Sequence, residues 1–293
     1  MKISSQSTLI PTGREKYWLA ILLCPTVTFL LVMLILPFTG LVKLSLVSNT
    51  SDSVHQAITG VFFSNLFSDS YFMSVVFETL IMGVAVALIC AVIGFPVGYS
   101  LARLPVEKRR WKLIAVVLPL TLSLVVVVFG WLVVLGSSGI INKTLMTLGI
   151  IDIPLQMIFN PGSVTFVLVQ QFLPFMILSV MGVVSQIDHV LEEASANLGA
   201  NRLTTFRRVI LPMAAPGIAT GMLLVFILTI SAFITPRLIG GSRVQMIGAV
   251  IYEKIVVLFD WSSGAAMSIM LLIITVIFLI SLNIVKMMFA RRS

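Results

Sequence analysis

Few residues in this 293-residue chain could do chemistry, and they are poorly placed for it. Gly136-Ser137-Ser138-Gly139 fits the pattern around an intramembrane serine nucleophile. Such a serine needs a base within hydrogen-bond reach. The two histidines, His55 and His189, lie outside the apolar runs, so the segment reads as a helix-ending turn of small residues. Cys24 and Cys90 fall inside apolar runs with no C-x-x-C motif. They read as small buried hydrophobes, not as a disulfide or metal framework. There is no G-x-x-x-x-G-K-[ST] loop to cradle ATP phosphates and no H-E-x-x-H metal motif. The sequence therefore calls for no catalytic residue, no metal and no cofactor.

Transport chemistry is the next candidate. Ion-coupled transporters usually carry Asp, Glu, His or Lys inside their spans. Here long apolar runs are free of charge, and the nearest carboxylate, Glu78, stands at the edge of one. Gln170, Gln171 and Asn283 are polar residues within the runs, and Ser231 and Thr235 stand near the end of another. Glu78, Gln170, Gln171, Ser231 and Thr235 are the candidate substrate-path residues. Interhelical hydrogen bonds are the ordinary alternative for such amides.

The most informative segment runs from 186 to 212. Asp188 can cap a helix, and Glu192 and Glu193 follow in its first turns, where negative charge is favoured. Leu191, Ala194 and Leu198 share one face. Gly199 supplies a left-handed stop. Asn201 can cap a second short helix with Leu203, Phe206 and Ile210 on one face, and Pro212 is expected to open the next span. A helix, a glycine turn and a second helix make a surface that either meets a partner protein or rests on the membrane.

These residues need elements to position them, and composition says which. The chain is 59% apolar and 10% charged, against about 45–50% and about 25% in soluble domains. The reading is an all-α polytopic membrane protein. Six charge-free windows, 17–42, 79–102, 113–142, 153–187, 209–236 and 261–285, are each long enough to span; the shortest has 24 residues. The first follows a basic stretch but is too long for a signal peptide and lacks its cleavage site. Pro161-Gly162 is expected just before the fourth helix. Fourteen of the 19 Lys and Arg fall on one side of this arrangement and five on the other. The positive-inside rule then puts both termini and the 186–212 loop in the cytoplasm. It also accounts for the +8 net charge without nucleic acid. Loops 43–78 and 237–260 fall outside, with room for short interfacial helices. The domain reading is a cytoplasmic tail at 1–16 and a single six-helix domain over 17–293, and Gly217, Ala219 and Gly221 are expected to face a second subunit.

The 186–212 segment resembles the E-A-A-x₃-G-x₉-I-x-L-P motif of permease subunits in bacterial ABC importers. Glu193, Ala194, Gly199, Leu211 and Pro212 match, while Ser195 and Val209 replace Ala and Ile. Segments 233–241 and 260–266 are similar to parts of the spermidine/putrescine and opine importer permeases, above all their first permease subunit. The resemblance implies the type I importer permease fold in a bacterial inner membrane. It implies that Glu192, Glu193, Ala194, Ser195, Gly199, Leu211 and Pro212 couple the chain to a cytoplasmic ABC ATPase dimer. A second permease subunit and a periplasmic solute-binding protein are the other implied partners, with the lipid bilayer around them. Polyamine is the leading substrate expectation; an opine, amino-acid derivative or phosphonate is the alternative. A secondary transporter or channel is the competing class, and the coupling loop separates it from the importer.

Overall fold

The computed structural model describes residues 13–46, 66 and 68–290, with side chains for 22–46, 66 and 68–280. The expectations for His55 and for residues 1–12 of the N-terminal tail lie outside the described residues, as does that for the side chain of Asn283, whereas residues 13–16 of the expected tail already belong to the first helix. Among the described residues every element is helical and no strand occurs. Six helical segments among the described residues are long and apolar enough to cross a membrane: Leu22–Leu46, Ser70–Ala102, Leu124–Thr147, which contains a turn, Pro161–Val184, Arg202–Ile230 and Trp261–Ile280. In hydrocarbon a helix satisfies its own backbone polar groups, which is why apolar runs of this length take that form.

The chain divides into two compact units, Met1–Ser64 with Asp260–Ser293, and Asn65–Phe259. In the first, α1 (Gly13–Leu46) packs on α11 (Trp261–Ala290). The side chains of α1 between 22 and 38 are all exposed. A helix that is apolar on every side and unburied by its own chain is suited to lipid or another apolar surface.

The second unit holds α2 (Ser70–Ala102), α3 (Val106–Val117), α4 (Leu124–Leu135), α5 (Ile140–Thr147) and α6 (Pro161–Val184). It continues with α7 (Val190–Asn197), α8 (Arg202–Thr205), α9 (Leu211–Ile230) and α10 (Ile247–Tyr252). Its core is the mutual packing of α2, α6 and α9. Lipid tails are as apolar as leucine, so helices in a membrane gain from close backbone approach instead. Glycine provides it here. A methyl group on Gly98 would stand 2.8 Å from the Ile177 carbonyl oxygen, and one on Gly217 would stand 2.9 Å from Val183. Gly221 faces the Met176 sulfur in the same way. Gly217 and Gly221 are thus spent on α6 of the same chain and do not face a second subunit; Ala219 is half-buried.

Local chemistry sets the helix ends. Asp69 caps α2 by accepting from the Tyr71 N–H at 2.9 Å, so the helix begins well before residue 79 and Glu78 lies inside it. Asn160 caps α6 by accepting from Ser163 N–H, so Pro161 and Gly162 lie inside its first turn and not before the helix as expected, because the first helical position needs no N–H from its proline. The 113–142 window is not one helix. It breaks at a 3₁₀ turn, Leu118–Thr121, where Pro119 offers no N–H. It breaks again at Gly136–Gly139, where the Gly139 N–H donates to the Gly136 carbonyl at 2.8 Å. Buried Asn142 secures this second break. Its Nδ2 donates to the carbonyls of Gly136 and Leu155, and its Oδ1 accepts from the Leu155 N–H. Ser137 and Ser138 are exposed parts of that turn. The 237–260 loop contains the short α10.

Candidate functional site: the 186–212 loop and its seat on α2

The loop is built from two capped helices and a left-handed turn. The Asp188 carboxylate accepts from the Val190 N–H at 3.0 Å, and Glu192 and Glu193 stand in the first turn of α7. At the other end, Gly199 has φ 81°. The Gly199 N–H donates to the Ala196 carbonyl and the Ala200 N–H to the Ser195 carbonyl, which is the Schellman pattern. Asn201 then accepts from the Thr204 N–H at 2.8 Å to start α8.

The second helix does not stop at Pro212. A π turn over Phe206–Ile210 carries it into α9, with the Leu211 N–H bonded to the Phe206 carbonyl. The wide turn absorbs the missing N–H and the ring of Pro212, which would clash in a regular helix. Pro212 therefore lies in the first turn of α9 but within a continuous helix from Arg202 to Ile230. The face expected from Leu203, Phe206 and Ile210 also splits. Ile210 is buried and Phe206 half-buried, while Leu203 is 64% exposed.

The two glutamates of α7 have different surroundings. Glu193 is exposed. Glu192 turns inward to the end of α2, where its Oε1 lies 2.5 Å from Arg103 Nη2. The Tyr99 hydroxyl donates to Glu192 Oε2 at 2.9 Å. Arg103 Nη1 donates to the Ile187 carbonyl at 2.8 Å, and its guanidinium lies 5.7 Å from the centre of the Tyr99 ring. Two further contacts hold the loop. The hydroxyls of Ser195 and Thr205 are 2.9 Å apart, and Phe206 meets Phe95 of α2 edge-on at 5.5 Å. Glu192 and Ser195, one turn apart, are the residues of α7 that are not exposed. On its other sides Val190, Leu191 and Ala194 are exposed, and Leu198 beyond it is 88% exposed. Leu211 and Pro212 are exposed as well.

The substrate-path candidates do not form one cluster. Thr235 is buried and donates to Gln171 Oε1 at 3.1 Å. Gln170 accepts instead from Trp131 Nε1 at 3.2 Å. Ser231 bonds back to the Ile227 carbonyl, as a serine near a helix end often does, and both it and Glu78 are exposed. Sequence reading missed Arg103, Tyr99, Thr79, Trp131 and Asn142. Thr79 is fully buried and accepts from the Ile247 N–H, tying α2 to the start of α10. Only Arg103 carried a signal, a cation at a helix end, and that reads first as a marker of membrane side. Among the described residues no group of three or more His, Cys, Asp or Glu could hold a metal.

The 186–212 loop thus presents exposed apolar side chains, Leu198 foremost, while its inner side is seated on the end of α2. The family of binding-protein-dependent transport system inner membrane components matches residues 94–293. The chain belongs to that family. It is 35% identical over 206 residues to the spermidine/putrescine transport system permease protein PotB of Escherichia coli (strain K12), covering 70% of this chain and 75% of that one. PotB of Haemophilus influenzae is also 35% identical, over 71% of this chain and 72% of its own. The inner membrane ABC transporter permease protein YdcU of E. coli (strain K12) is 32% identical over 70% and 69%. Among solved structures, a bacterial ABC transporter involved in alginate import matches with a TM-score of 0.69, covering 92% of this chain and 95% of its own. A complex of an alginate transporter with its periplasmic protein matches at 0.70 over 90% and 92%. Both are 19% identical and speak for the fold alone. This chain is thus an inner-membrane, multi-pass permease of a binding-protein-dependent ABC importer.

Proposed function

We propose that this permease docks a separate cytoplasmic ABC ATPase through α7, the Gly199 turn and α8, and converts ATP-driven closure of an ATPase dimer into alternating access. The observation that carries the reading is the apolar tip. Leu198 is 88% exposed, Leu203 64% and Val190 59%, next to a conformationally defined turn. Exposed apolar side chains gathered on one loop suit a protein groove better than water. Glu193 adds a charge at its edge. The chain holds no ATP-binding loop, so the energy source is a second polypeptide. Residues 17–293 form one permease domain behind a cytoplasmic tail at 1–16, and both termini face the cytoplasm. The partner permease is a related second subunit, and a periplasmic binding protein delivers the solute at the opposite face.

The substrate is a polyamine. The names of the relatives point there, and one feature of this chain agrees. Phe233 and Tyr252 stack 5.1 Å apart and stay partly exposed, offering aromatic faces to an ammonium group. Gln171 and Thr235 supply polar lining in the path.

Three measurements test these statements. Leu198→Asp should abolish co-purification of the ATPase while the permease still inserts; retention of the ATPase would refute the docking surface. A thiol reagent applied to intact spheroplasts should label a cysteine at Ser242 and not one at Leu198; the reverse pattern overturns the orientation. Titration calorimetry on the cognate binding protein should show saturable heat with putrescine or spermidine. Binding of an opine instead would reassign the substrate.

A further inference from the structure

We propose that Arg103, with Tyr99, is a positioning residue that transmits movement of the docked loop directly to α2. The proposal rests on the docking function given to the 186–212 loop. Covalently, that loop continues only into α6 and α9. A pull or push on α7 would reach those two helices through the backbone and α2 only through side chains. The side chains in question are unusual for a protein end. Arg103 and Glu192 are 12% and 24% exposed, and their paired atoms, Nη2 and Oε1, are shut off from solvent. The guanidinium is held at the same time by the Ile187 carbonyl, at the junction of α6 and the loop, so one residue of α2 grips both sides of that junction. Tyr99, one turn earlier on α2, holds the second carboxylate oxygen.

This arrangement resists displacement in more than one direction. One carboxylate oxygen accepts a hydrogen bond from Tyr99 and the other stands in an ion pair with Arg103 at the C-cap of α2, without a hydrogen bond between them, so Glu192 cannot rotate away without breaking the first and separating the second. A dry ion pair is costly to leave half-made, whereas the hydroxyl pair Ser195–Thr205 and the Phe95–Phe206 edge contact yield more readily. The paired glutamates of α7 then have separate tasks: Glu193 stays on the exposed side, and Glu192 faces α2.

The test uses the complete importer reconstituted in liposomes with its ATPase, partner permease and substrate-loaded binding protein. The variants are Arg103→Gln, Tyr99→Phe and Arg103→Lys, which keeps a cation able to donate to the Ile187 carbonyl and to pair with Glu192. Arg103→Gln is expected to keep the ATPase bound. Stimulation by the loaded binding protein, relative to each variant's own basal hydrolysis, and uptake should each fall at least tenfold, with a smaller fall in Tyr99→Phe. Arg103→Lys should hold uptake to within threefold of the parent. Stimulation and uptake within twofold of the parent in Arg103→Gln would overturn the proposal. So would an Arg103→Lys variant no better than Arg103→Gln. Loss of the ATPase from Arg103→Gln would overturn it too, by making the pair part of docking itself. Leu198→Asp, measured alongside, tests docking separately: if it retains the ATPase, the docking surface is wrong whatever Arg103→Gln does.

Discussion

Two arginine–glutamate pairs stand at opposite ends of the α2–α6–α9 core, and their burial separates them. Arg103–Glu192 is 12% and 24% exposed; Arg237–Glu253, at 2.7 Å, is 41% and 38% exposed. The chemistry is the same, but the consequences differ. An exposed pair gives up as much solvation as it gains, and typically contributes about 0–1 kcal/mol. A shielded pair does not necessarily stabilise more in total, but losing one partner leaves a charge without water or counter-charge. The lesson is that charge pairing by itself says little here. The seat of the 186–212 loop is expected to depend on its pair, and the 237–260 segment to tolerate the loss of its own.

The largest expected effect follows from that contrast. Arg103→Ala should destabilise the permease by on the order of 3 kcal/mol, read as a lowered midpoint in thermal unfolding of the detergent-solubilised protein. A midpoint equal to that of the parent would mean that the pair is effectively solvated, and the contrast would collapse.

Two of the three positive-φ glycines among the described residues sharpen the comparison. Gly199 has φ 81° with open space where a side chain would go, whereas Gly241 has φ 60° with the Phe159 ring 2.7 Å from that position. A β-branched residue at either pays about 1–3 kcal/mol of backbone strain, and at Gly241 it also meets the ring. Gly241→Val should therefore lower the unfolding midpoint more than Gly199→Val. Uptake should respond in the opposite order: Gly199→Val should abolish it with the protein still in the membrane, because α8 leaves the loop at the wrong angle. Gly199→Asn, which accepts a left-handed conformation more readily, should retain part of it. Normal uptake in Gly199→Val would sink the role of that turn.

A smaller effect is expected between the two ends. Thr235→Val leaves the Gln171 amide without its hydroxyl donor and should cost about 1 kcal/mol, again by thermal unfolding. If Gln171 also contacts solute, the KM for uptake should rise in Gln171→Ala and not in Gln170→Ala, whose side chain meets Trp131. The smallest effect belongs to the exposed pair: Glu253→Gln should shift stability by no more than about 0.5 kcal/mol. A change as large as that of Arg103→Ala would show that exposure is the wrong criterion.

Local rules made much of this protein legible before any tertiary structure. Six spans follow from apolar runs, because a backbone in hydrocarbon has no partner but itself. The loop architecture follows from Asp188, Gly199 and Asn201, because caps and left-handed turns are properties of a few adjacent residues. The Gly136–Gly139 turn was likewise readable from its small residues. What needed the tertiary structure was every statement about facing. Glu192 and Glu193 are neighbours with the same charge, and only the approach of α2, contributed by residues nearly ninety positions earlier, separates the inward one from the exposed one. Gly217 and Gly221 look alike whether they serve a partner or their own chain, and packing on α6 decides it. The continuity of α8 into α9 past Pro212 depends on a π turn. No periodicity announces that turn, because its cause is the fit of a proline ring among carbonyls and not the pattern of apolar residues.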